Sequence, residues 1–468
     1  MSHVITTIST FFLGYFLALD LVYAVLYAIS FVRSGTHMRR TALGGEDTIL
    51  RSPFTPPISI VMPAFNEEAT IVASVDALRL LEYGEFEIVV VDDGSTDSTL
   101  ERLTEAYELE LVHAPLRMQV PCKPIRGVYV SRRLPNLVVV SKENGGCKAD
   151  ASNAGINAAR YPLVCDTDAD AVLDKDALLR VVRPFVERPH DTVAVGGIVR
   201  IVNGCTVSGG RVVAARAPRN PLAAFQTVEY LRAFIASRTG WSSLGALFLV
   251  SGAFGVFRKD ILVEVGGYST DAIGEDMELI HKFHEHCRRS KRRYRIVFVP
   301  DPVVWTEAPE TLKGLRSQRK RWHRGLLQCL VWHRRMTFRP RYGLLGMIAL
   351  PYLWIFEAGG AVVETAGYLI MIGAAILGVL NMTYFVLFVL LAMVYGVGLS
   401  VTALLMDEMR HGLYKSGADI AKLLGYAVLE NFGYRQLLTL WRFTAMLDWL
   451  MGKQHTWETL QRRGFKGD

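Results

Sequence analysis

Cysteine is scarce and unpaired in this sequence. The six cysteines (Cys122, Cys147, Cys165, Cys205, Cys287 and Cys329) are scattered and include no C-x-x-C pair. A disulfide framework is therefore not expected, and reduced thiols place the central part of the chain in a cytosol-like compartment. Lysine and arginine are missing ahead of the first apolar run, which is also too long for a signal peptide. No signature of a nucleic-acid module is present, so no nucleic-acid partner is expected. Internal repeats and low-complexity tracts are absent as well.

What is abundant is apolar residue, 51% of 468, with the excess at the two ends. Residues 5–32 are apolar apart from Asp20 and exceed the ~20 residues a bilayer requires. Arg33, Arg39 and Arg40 follow, which predicts an external N-terminus and a cytosolic next domain. Residues 36–57 read as a polar linker. At the other end, 342–406 is apolar and long enough for two spans separated near Asn381. Glu357 and Glu364 fall in the first of these, seven residues apart on one face, and predict a polar path. Residues 420–450 are weakly apolar and broken at 430–433. The tail is basic (Arg462, Arg463, Lys466) and should stay in the cytosol, so an interfacial or re-entrant helix pair is expected there. Net charge is +7, with cations clustered at 288–295 and 316–341. The second cluster precedes the apolar region, which favours anionic lipid or phosphate as partner.

Between the ends, strand and helix patterns alternate. Strands are expected at 58–62, 85–91, 137–140, 162–165, 193–202 and 294–299. Helices are expected at 67–81, 98–107, 148–159, 175–183, 222–239, 272–289 and 310–333, with Asp174 capping the fourth. Such alternation implies a mainly parallel sheet covered on both faces. Ligands of these sheets bind at the carboxyl ends of strands. Residues 63–67, 92–97 and 166–170 all lie at such ends and should converge in one cleft.

The stretch 162–176, PLVCDTDADAVLDKD, is the most informative. An apolar strand opens into Asp166, Asp168 and Asp170 at alternating positions. Clustered carboxylates beside a buried strand are costly unless something offsets their charge. A divalent cation bridging to phosphate does so, and Mg²⁺ needs only one or two carboxylates. Asp168 and Asp170 suit that task. A lone D-x-D is short and common, so the assignment rests on the company it keeps. His281, His284 and His286 lack a cysteine or carboxylate frame and read as helix-surface residues.

That company is VMPAFNEE (61–68), VVVDDGSTD (89–97), ENGGCKADASNAG (143–155), DTDAD (166–170), IGEDMEL (273–279) and QRKRW (318–322). Six strings in this order make the chain resemble the membrane-embedded family 2 glycosyltransferases, the cellulose, hyaluronan and poly-N-acetylglucosamine synthase group. The resemblance implies an α/β, GT-A type Rossmann-like mixed sheet plus an α-helical transmembrane region. The expected domains are a transmembrane helix at 1–35, a cytosolic catalytic domain at 50–340 and transmembrane helices at 341–410. Interfacial or re-entrant helices and the basic tail would occupy 411–468.

The resemblance also implies roles. Asp93 would accept a hydrogen bond from a uracil N–H, with Pro63, Phe65 and Glu67 on the other side of the base. Lys148 would reach phosphate or ribose, beside Asp150. Asp168 and Asp170 would hold Mg²⁺ or Mn²⁺. Asp276 would be the general base, with Glu275 as helper. Gln318, Arg319, Arg321 and Trp322 would meet the diphosphate and acceptor. Where relatives read G-G-K-A-D-A-L-N, Cys147 intervenes here and Ser152 replaces Leu.

The function implied is inverting transfer from a UDP-sugar, N-acetylhexosamine favoured, onto a growing β-linked exopolysaccharide that passes through the inner or plasma membrane. The bilayer and accessory secretion proteins are the further partners. Two rivals are a non-processive enzyme glycosylating a lipid, and a non-catalytic membrane receptor or secretion subunit. The intact acidic motifs speak against the second rival.

Overall fold

The computed structural model describes residues 2–43, 49, 52–113 and 116–453. The basic tail at 462–466 lies outside the described residues. The chain forms two compact units, one drawn from Ser34–Ala215 and Ser242–Glu307, the other from Met1–Arg33, Arg216–Trp241 and Ala308–Leu460.

The first unit is built on a ten-stranded sheet. Its strands are β1 (Ile58–Ala64), β2 (Phe86–Asp92), β3 (Leu109–Val112), β4 (Ile125–Ser131), β5 (Leu137–Lys142) and β6 (Leu163–Thr167). They continue with β7 (Val172–Leu173), β8 (Thr192–Ile201), a separate hairpin β9 (Thr206–Ser208) and β10 (Arg211–Ala214), β11 (Phe254–Arg258) and β12 (Arg295–Thr306). The order in the sheet is β3-β4-β5-β2-β1-β6-β11-β8-β12-β7. The centre of the sheet is made of near-continuous Val/Ile runs, as strands covered on both faces must be.

β5, β2, β1 and β6 run parallel side by side. β3 and β4 add antiparallel strands on one flank. On the other, β11 inserts antiparallel between β6 and β8, and β7 pairs antiparallel with β12. The mixed sheet expected of a GT-A type fold is thus present, with parallel pairing in its central strands and between β8 and β12 and antiparallel pairing elsewhere. β3 and β4 escaped the sequence pattern because both are half-exposed and interleave charge or glycine with their apolar residues.

Two smaller expectations are corrected. Asp174 does not cap the following helix, Ala177–Glu187. Its carboxylate instead accepts the Trp305 indole N–H at 2.9 Å and pairs with Arg180 at 3.3 Å. His281 and His284 are buried rather than on the surface; only His286 is half-exposed, paired with Glu264 at 2.9 Å. The helix Glu275–Arg289 turns its second and third turns into the sheet, so His281 and His284 face inward.

The second unit is helical. Two of its helices, Thr10–Arg39 and Leu345–Ile376, are long and apolar enough to cross a membrane. Leu17, Leu21 and Phe31 on one, and Leu369, Ile372 and Ile376 on the other, are exposed, so their outward faces are apolar. The second expected span begins at Met382, after Asn381 accepts the backbone N–H groups of Thr383 and Tyr384, and its helix ends at His411. The break at 430–433 is a kink at Phe432 and Gly433, where Gly433 adopts φ 89°.

Glu357 and Glu364 do share a face. Both are met by the helix Arg435–Leu450, Glu357 by Arg442 at 3.5 Å and Glu364 by the Thr439 hydroxyl. The expected single domain over 50–340 is divided. Its segments Arg216–Trp241 and Ala308 onward belong to the helical unit. Leu315 there packs with Tyr434, Trp441, Leu222 and Phe225, an apolar face that only the helical unit satisfies.

His284 carries a pH signature. Its Nε2 donates to the Leu247 carbonyl at 2.8 Å, leaving Nδ1 to accept the Tyr294 hydroxyl at 2.7 Å. Burial pushes its pKa down to about 4. The unfolded chain takes up this proton near pH 6.5 and the folded chain refuses it until about pH 4. The stability it contributes is therefore complete above pH 6.5 and lost as pH falls through that window. Going from pH 7.5 to 5, this group alone should remove about 2 kcal/mol. Urea unfolding at both pH values should show a smaller drop in His284→Gln than in wild type.

Candidate active site

β1, β2, β5 and β6 end at one edge of the sheet, and each end delivers a candidate side chain. β1 runs into Phe65, β2 into Asp93, and β6 into Asp168; Lys142 is the last residue of β5. The first two loops interlock. The Asp93 N–H donates to the Ala64 carbonyl at 2.9 Å, and Glu67 N–H to the Thr99 hydroxyl at 2.9 Å. Asn66 sits in the left-handed region (φ 57°), where Asn is tolerated best after Gly. Phe65 is exposed, while Pro63 and Glu67 are half-buried. The expected convergence of 63–67, 92–97 and 166–170 at the strand ends is what the structure shows.

The helix Lys148–Ala158 crosses behind this edge. Residues Ala149 to Asn157 are all buried, although four of them are polar. Each polar side chain has a partner. Asp150 accepts the Lys123 backbone N–H at 3.1 Å and the Lys142 ammonium at 2.6 Å. The Ser152 hydroxyl donates to Asp166 at 2.8 Å. Asn153 donates to the Tyr268 carbonyl at 2.9 Å and accepts its N–H at 2.8 Å. Asn157 accepts the N–H groups of Gln119 and Val120. Ser152, which replaces the Leu of the resemblance, thus replaces an apolar contact by a hydrogen bond to a buried carboxylate.

Two lysines organise the charges. The Lys142 side chain is wholly buried and bridges Asp93 and Asp150. Asp93 Oδ1 accepts both this ammonium and the Gly145 N–H at 3.0 Å. The approach of Gly145 depends on Gly94 (φ 67°), because a Cβ there would lie 2.8 Å from the Asn144 nitrogen. Lys148 donates to Asp168 Oδ1 at 2.7 Å, stands 3.1 Å from Asp166 Oδ2 and donates to the Gly252 carbonyl at 2.6 Å. Burial lowers the pKa of Lys148, but Asp166 and Asp168, with Glu275 behind them, raise it well above the usual lysine range. Burial raises Asp166, which Lys148 and Ser152 oppose.

The same residue, Gly252, also reaches Asp276. Its N–H donates to Asp276 Oδ2 at 3.1 Å, while Asp276 Oδ1 accepts the Met277 N–H at 2.8 Å. Asp276 lies in the first turn of Glu275–Arg289, half-buried. The backbone of one residue, Gly252, therefore meets Asp276 through its N–H and Lys148 through its C=O, and Lys148 reaches on to Asp168.

Asp168 and Asp170 offer hard oxygen donors of the kind Mg²⁺ or Mn²⁺ takes. Asp168 is partly exposed and already accommodates a cation, the Lys148 ammonium. Among the described residues no group of three or more His, Cys, Asp or Glu side chains forms a metal cluster. A site completed by substrate phosphate and water needs no such cluster, so the residues fit a substrate-borne ion.

Gln318, Arg319, Arg321 and Trp322 lie on the helix Leu312–Trp332 of the helical unit. Arg319 is buried, bonded to Glu229 at 2.9 Å and stacked 4.4 Å from the centroid of the Trp322 ring. Tyr434 donates to the same Glu229 at 3.0 Å. Arg319 thereby anchors its own helix, while Trp322 is exposed and Arg321 and Gln318 are half-buried. Sequence reading missed Lys142, Ser152, Gly252 and Tyr268 as site residues. A signal existed for the first: a lysine terminating an apolar strand between two acidic motifs.

The sequence pattern described as "Glycosyl transferase family 2" matches residues 59–262, and "Glycosyl transferase family group 2" matches 164–401, just over half of the chain. The poly-beta-1,6-N-acetyl-D-glucosamine synthase of Staphylococcus aureus (strain COL) is 29% identical over 303 residues, 64% of this chain and 62% of that relative. The synthase of the same name from Staphylococcus epidermidis is 31% identical over 268 residues, 57% of this chain and 54% of that relative. The chain thus spans 62% and 54% of the length of these curated relatives. Mannosyltransferase PcManGT from Pyrobaculum calidifontis, solved in complex with GDP-Man and Mn²⁺, shares the fold. Its TM-score is 0.50 at 19% identity, over 92% of this chain and 100% of that one.

The crossing helix depends on close approach to β1. A Cβ at Gly155 would lie 2.2 Å from Val61 Cγ1, inside the sheet core. Gly155→Ala should therefore push the helix outward and destabilise the fold by about 1–3 kcal/mol. Thermal unfolding checks this, with Gly35→Ala as the comparison, a helical glycine where a Cβ meets open space.

Proposed function

The chain belongs to glycosyl transferase family group 2, and from that premise we propose an inverting, metal-dependent polymerase that draws on a UDP-sugar. Its product is a β-linked polysaccharide passed through the cell membrane, with the sheet-bearing unit in the cytoplasm. An N-acetylhexosamine donor is favoured, because the similar staphylococcal proteins are poly-beta-1,6-N-acetyl-D-glucosamine synthases by name. The observation that carries the reading is the backbone of Gly252, whose N–H donates to Asp276 and whose C=O accepts from Lys148, so that the carboxylate proposed as proton acceptor and the lysine proposed for the diphosphate meet on one residue. The membrane assignment rests on the two apolar helices and their exposed apolar faces.

In this reading Asp93 accepts the uracil N–H, and Phe65 lies exposed to cover the base beside Pro63 and Glu67. Lys148 contacts the diphosphate. Asp168 and Asp170 would hold Mg²⁺ or Mn²⁺, which when bound supplies positive charge to the departing diphosphate. Asp276 is held at both oxygens by backbone N–H groups, so its carboxylate keeps one orientation. It takes the proton of an acceptor hydroxyl as that oxygen bonds to the anomeric carbon. The bond from that carbon to the phosphate oxygen breaks, and its electron pair leaves on UDP. Glu275 assists by its charge. Roles for Gln318, Arg321 and Trp322 at the diphosphate and acceptor rest on their motif alone.

Purified protein with a panel of UDP-sugars, read by UDP release and product size, tests the function. Short glycolipid products would favour the lipid-acceptor rival. A positioned general base typically contributes ~10²–10⁴-fold. Asp276→Asn should therefore bind UDP-sugar nearly normally and retain less than about a tenth of wild-type turnover. Asp168→Asn should lose metal-dependent UDP affinity as well. Retention of full turnover by Asp276→Asn would move the base elsewhere.

Trp322 offers a second test. An exposed indole stacks on a sugar ring without a hydrogen-bond requirement. Trp322→Ala should reduce polymer yield while UDP affinity is unchanged. Equal loss of both would assign Trp322 to packing under Arg319.

A further inference from the structure

We propose that Lys142 sets which nucleobases the donor site accepts, by holding Asp93 as an acceptor-only carboxylate with one oxygen turned to the base. A base that presents an N–H at that edge is taken, and one that presents a ring-nitrogen lone pair is refused. The proposal rests on the reading that Asp93 contacts the base.

Lys142 is the unusual group here. Its side chain is 0% exposed, yet it lies at the end of a strand whose other residues are apolar or hydroxyl-bearing. A buried lysine is costly, and where only stability is at stake an apolar residue of similar size does as well or better. What a lysine adds is a fixed positive charge shared between two carboxylates. One is Asp150, which belongs to the crossing helix and also takes the Lys123 N–H. The other is Asp93, whose Oδ1 is saturated by the Lys142 ammonium and the Gly145 N–H.

The remaining oxygen, Oδ2, accepts no hydrogen bond from the described residues and is not sealed from solvent. Burial raises the pKa of Asp93, and the two donors on Oδ1 offset only part of that rise. An ionised carboxylate has no proton to give. At ring nitrogen 3, uracil donates and cytosine accepts. Only uracil matches, and cytosine meets two lone pairs face to face. Without Lys142 the carboxyl is free to rotate and to take up a proton, and a protonated carboxyl can donate to cytosine. Sites that demand a hydrogen bond reject the wrong partner strongly, because the site's own polar group is left unpaired.

The test uses the full chain in detergent with Mg²⁺ present, titrated with UDP and with CDP by calorimetry. Wild type should favour UDP by roughly 100-fold or more. In Lys142→Met that preference should fall at least about tenfold, the equivalent of one charged hydrogen bond, mainly through weaker UDP binding. Asp93→Asn should also lose UDP affinity. If Asp93→Asn binds UDP as wild type does, the base-contact reading fails and the proposal with it. If Asp93→Asn weakens binding but folded Lys142→Met keeps the wild-type UDP/CDP ratio, the proposal alone is overturned. Should Lys142→Met not fold, Lys142→Met with Asp150→Asn leaves one carboxylate fewer unpaired and is read by the same ratio. A merely structural lysine would lower the melting temperature without moving that ratio.

Discussion

Two lysines placed among carboxylates are what the functional edge of the sheet depends on. Lys142 serves Asp93 and Asp150, and Lys148 serves Asp166 and Asp168. Asp93, Asp150 and Asp166 are nearly inaccessible to water. Buried carboxylates of this kind are tolerated only when paired and hydrogen-bonded, and removing one partner of such a pair is far more damaging than never having had the pair. The arrangement is therefore all-or-nothing, and it dictates local sequence. Gly94 and Gly145 must let the backbone close on Asp93. Ser152 must supply a hydroxyl where a leucine would leave Asp166 one donor short.

The lysines also tie separate parts of the site to one helix. Asp150, Ser152 and Lys148 all belong to the helix Lys148–Ala158, which Gly155 seats directly against Val61. The Asp93 end, the Asp168 end and, through the backbone of Gly252, Asp276 are thus referred to one rigid element. Asp168 accepts the Lys148 ammonium, and Lys148 donates to the carbonyl of Gly252, the residue whose N–H holds Asp276. In the proposed reaction this links donor binding to the geometry of the base without any large motion.

Much of this was legible in the sequence. The central strands and their order of motifs follow from apolar runs that end in Asp or Gly, because a strand buried on both faces leaves a strong and simple pattern. Asp93 and Asp168 follow directly on such runs, while Lys148 and Asp276 stand in the first turns of helices. What was not legible has a common cause. β3 is the edge strand and β4 lies next to it, and exposure dilutes the pattern of both. His281 and His284 looked like surface residues because the helix Glu275–Arg289 is charged on its outer face, and nothing local says how deep its other face lies. Arg319 and Arg321 differ only by which side of one helix meets Glu229. Lys142 was overlooked because its partners are 49 and 8 positions away, and only the sheet register Asp92 to Ser141 brings it to Asp93.

Charge balance at the two units points in opposite directions. In the helical unit buried Glu430 is shared by Arg232 and Arg435, so cation exceeds anion at that point. At the sheet edge the two lysines face four carboxylates, before Asp170, Glu275 and Asp276 are counted. A sugar diphosphate would add further negative charge to an edge that is already anionic. Its approach is unfavourable unless positive charge arrives with it. Lys148 cannot supply that charge alone, since Asp166 and Asp168 already claim it. In the proposed reading this balance favours a divalent cation that enters together with the nucleotide, which Asp168 and Asp170 would hold. It also argues against tight metal binding in the absence of nucleotide, because the lysine then occupies the carboxylate that the ion would use.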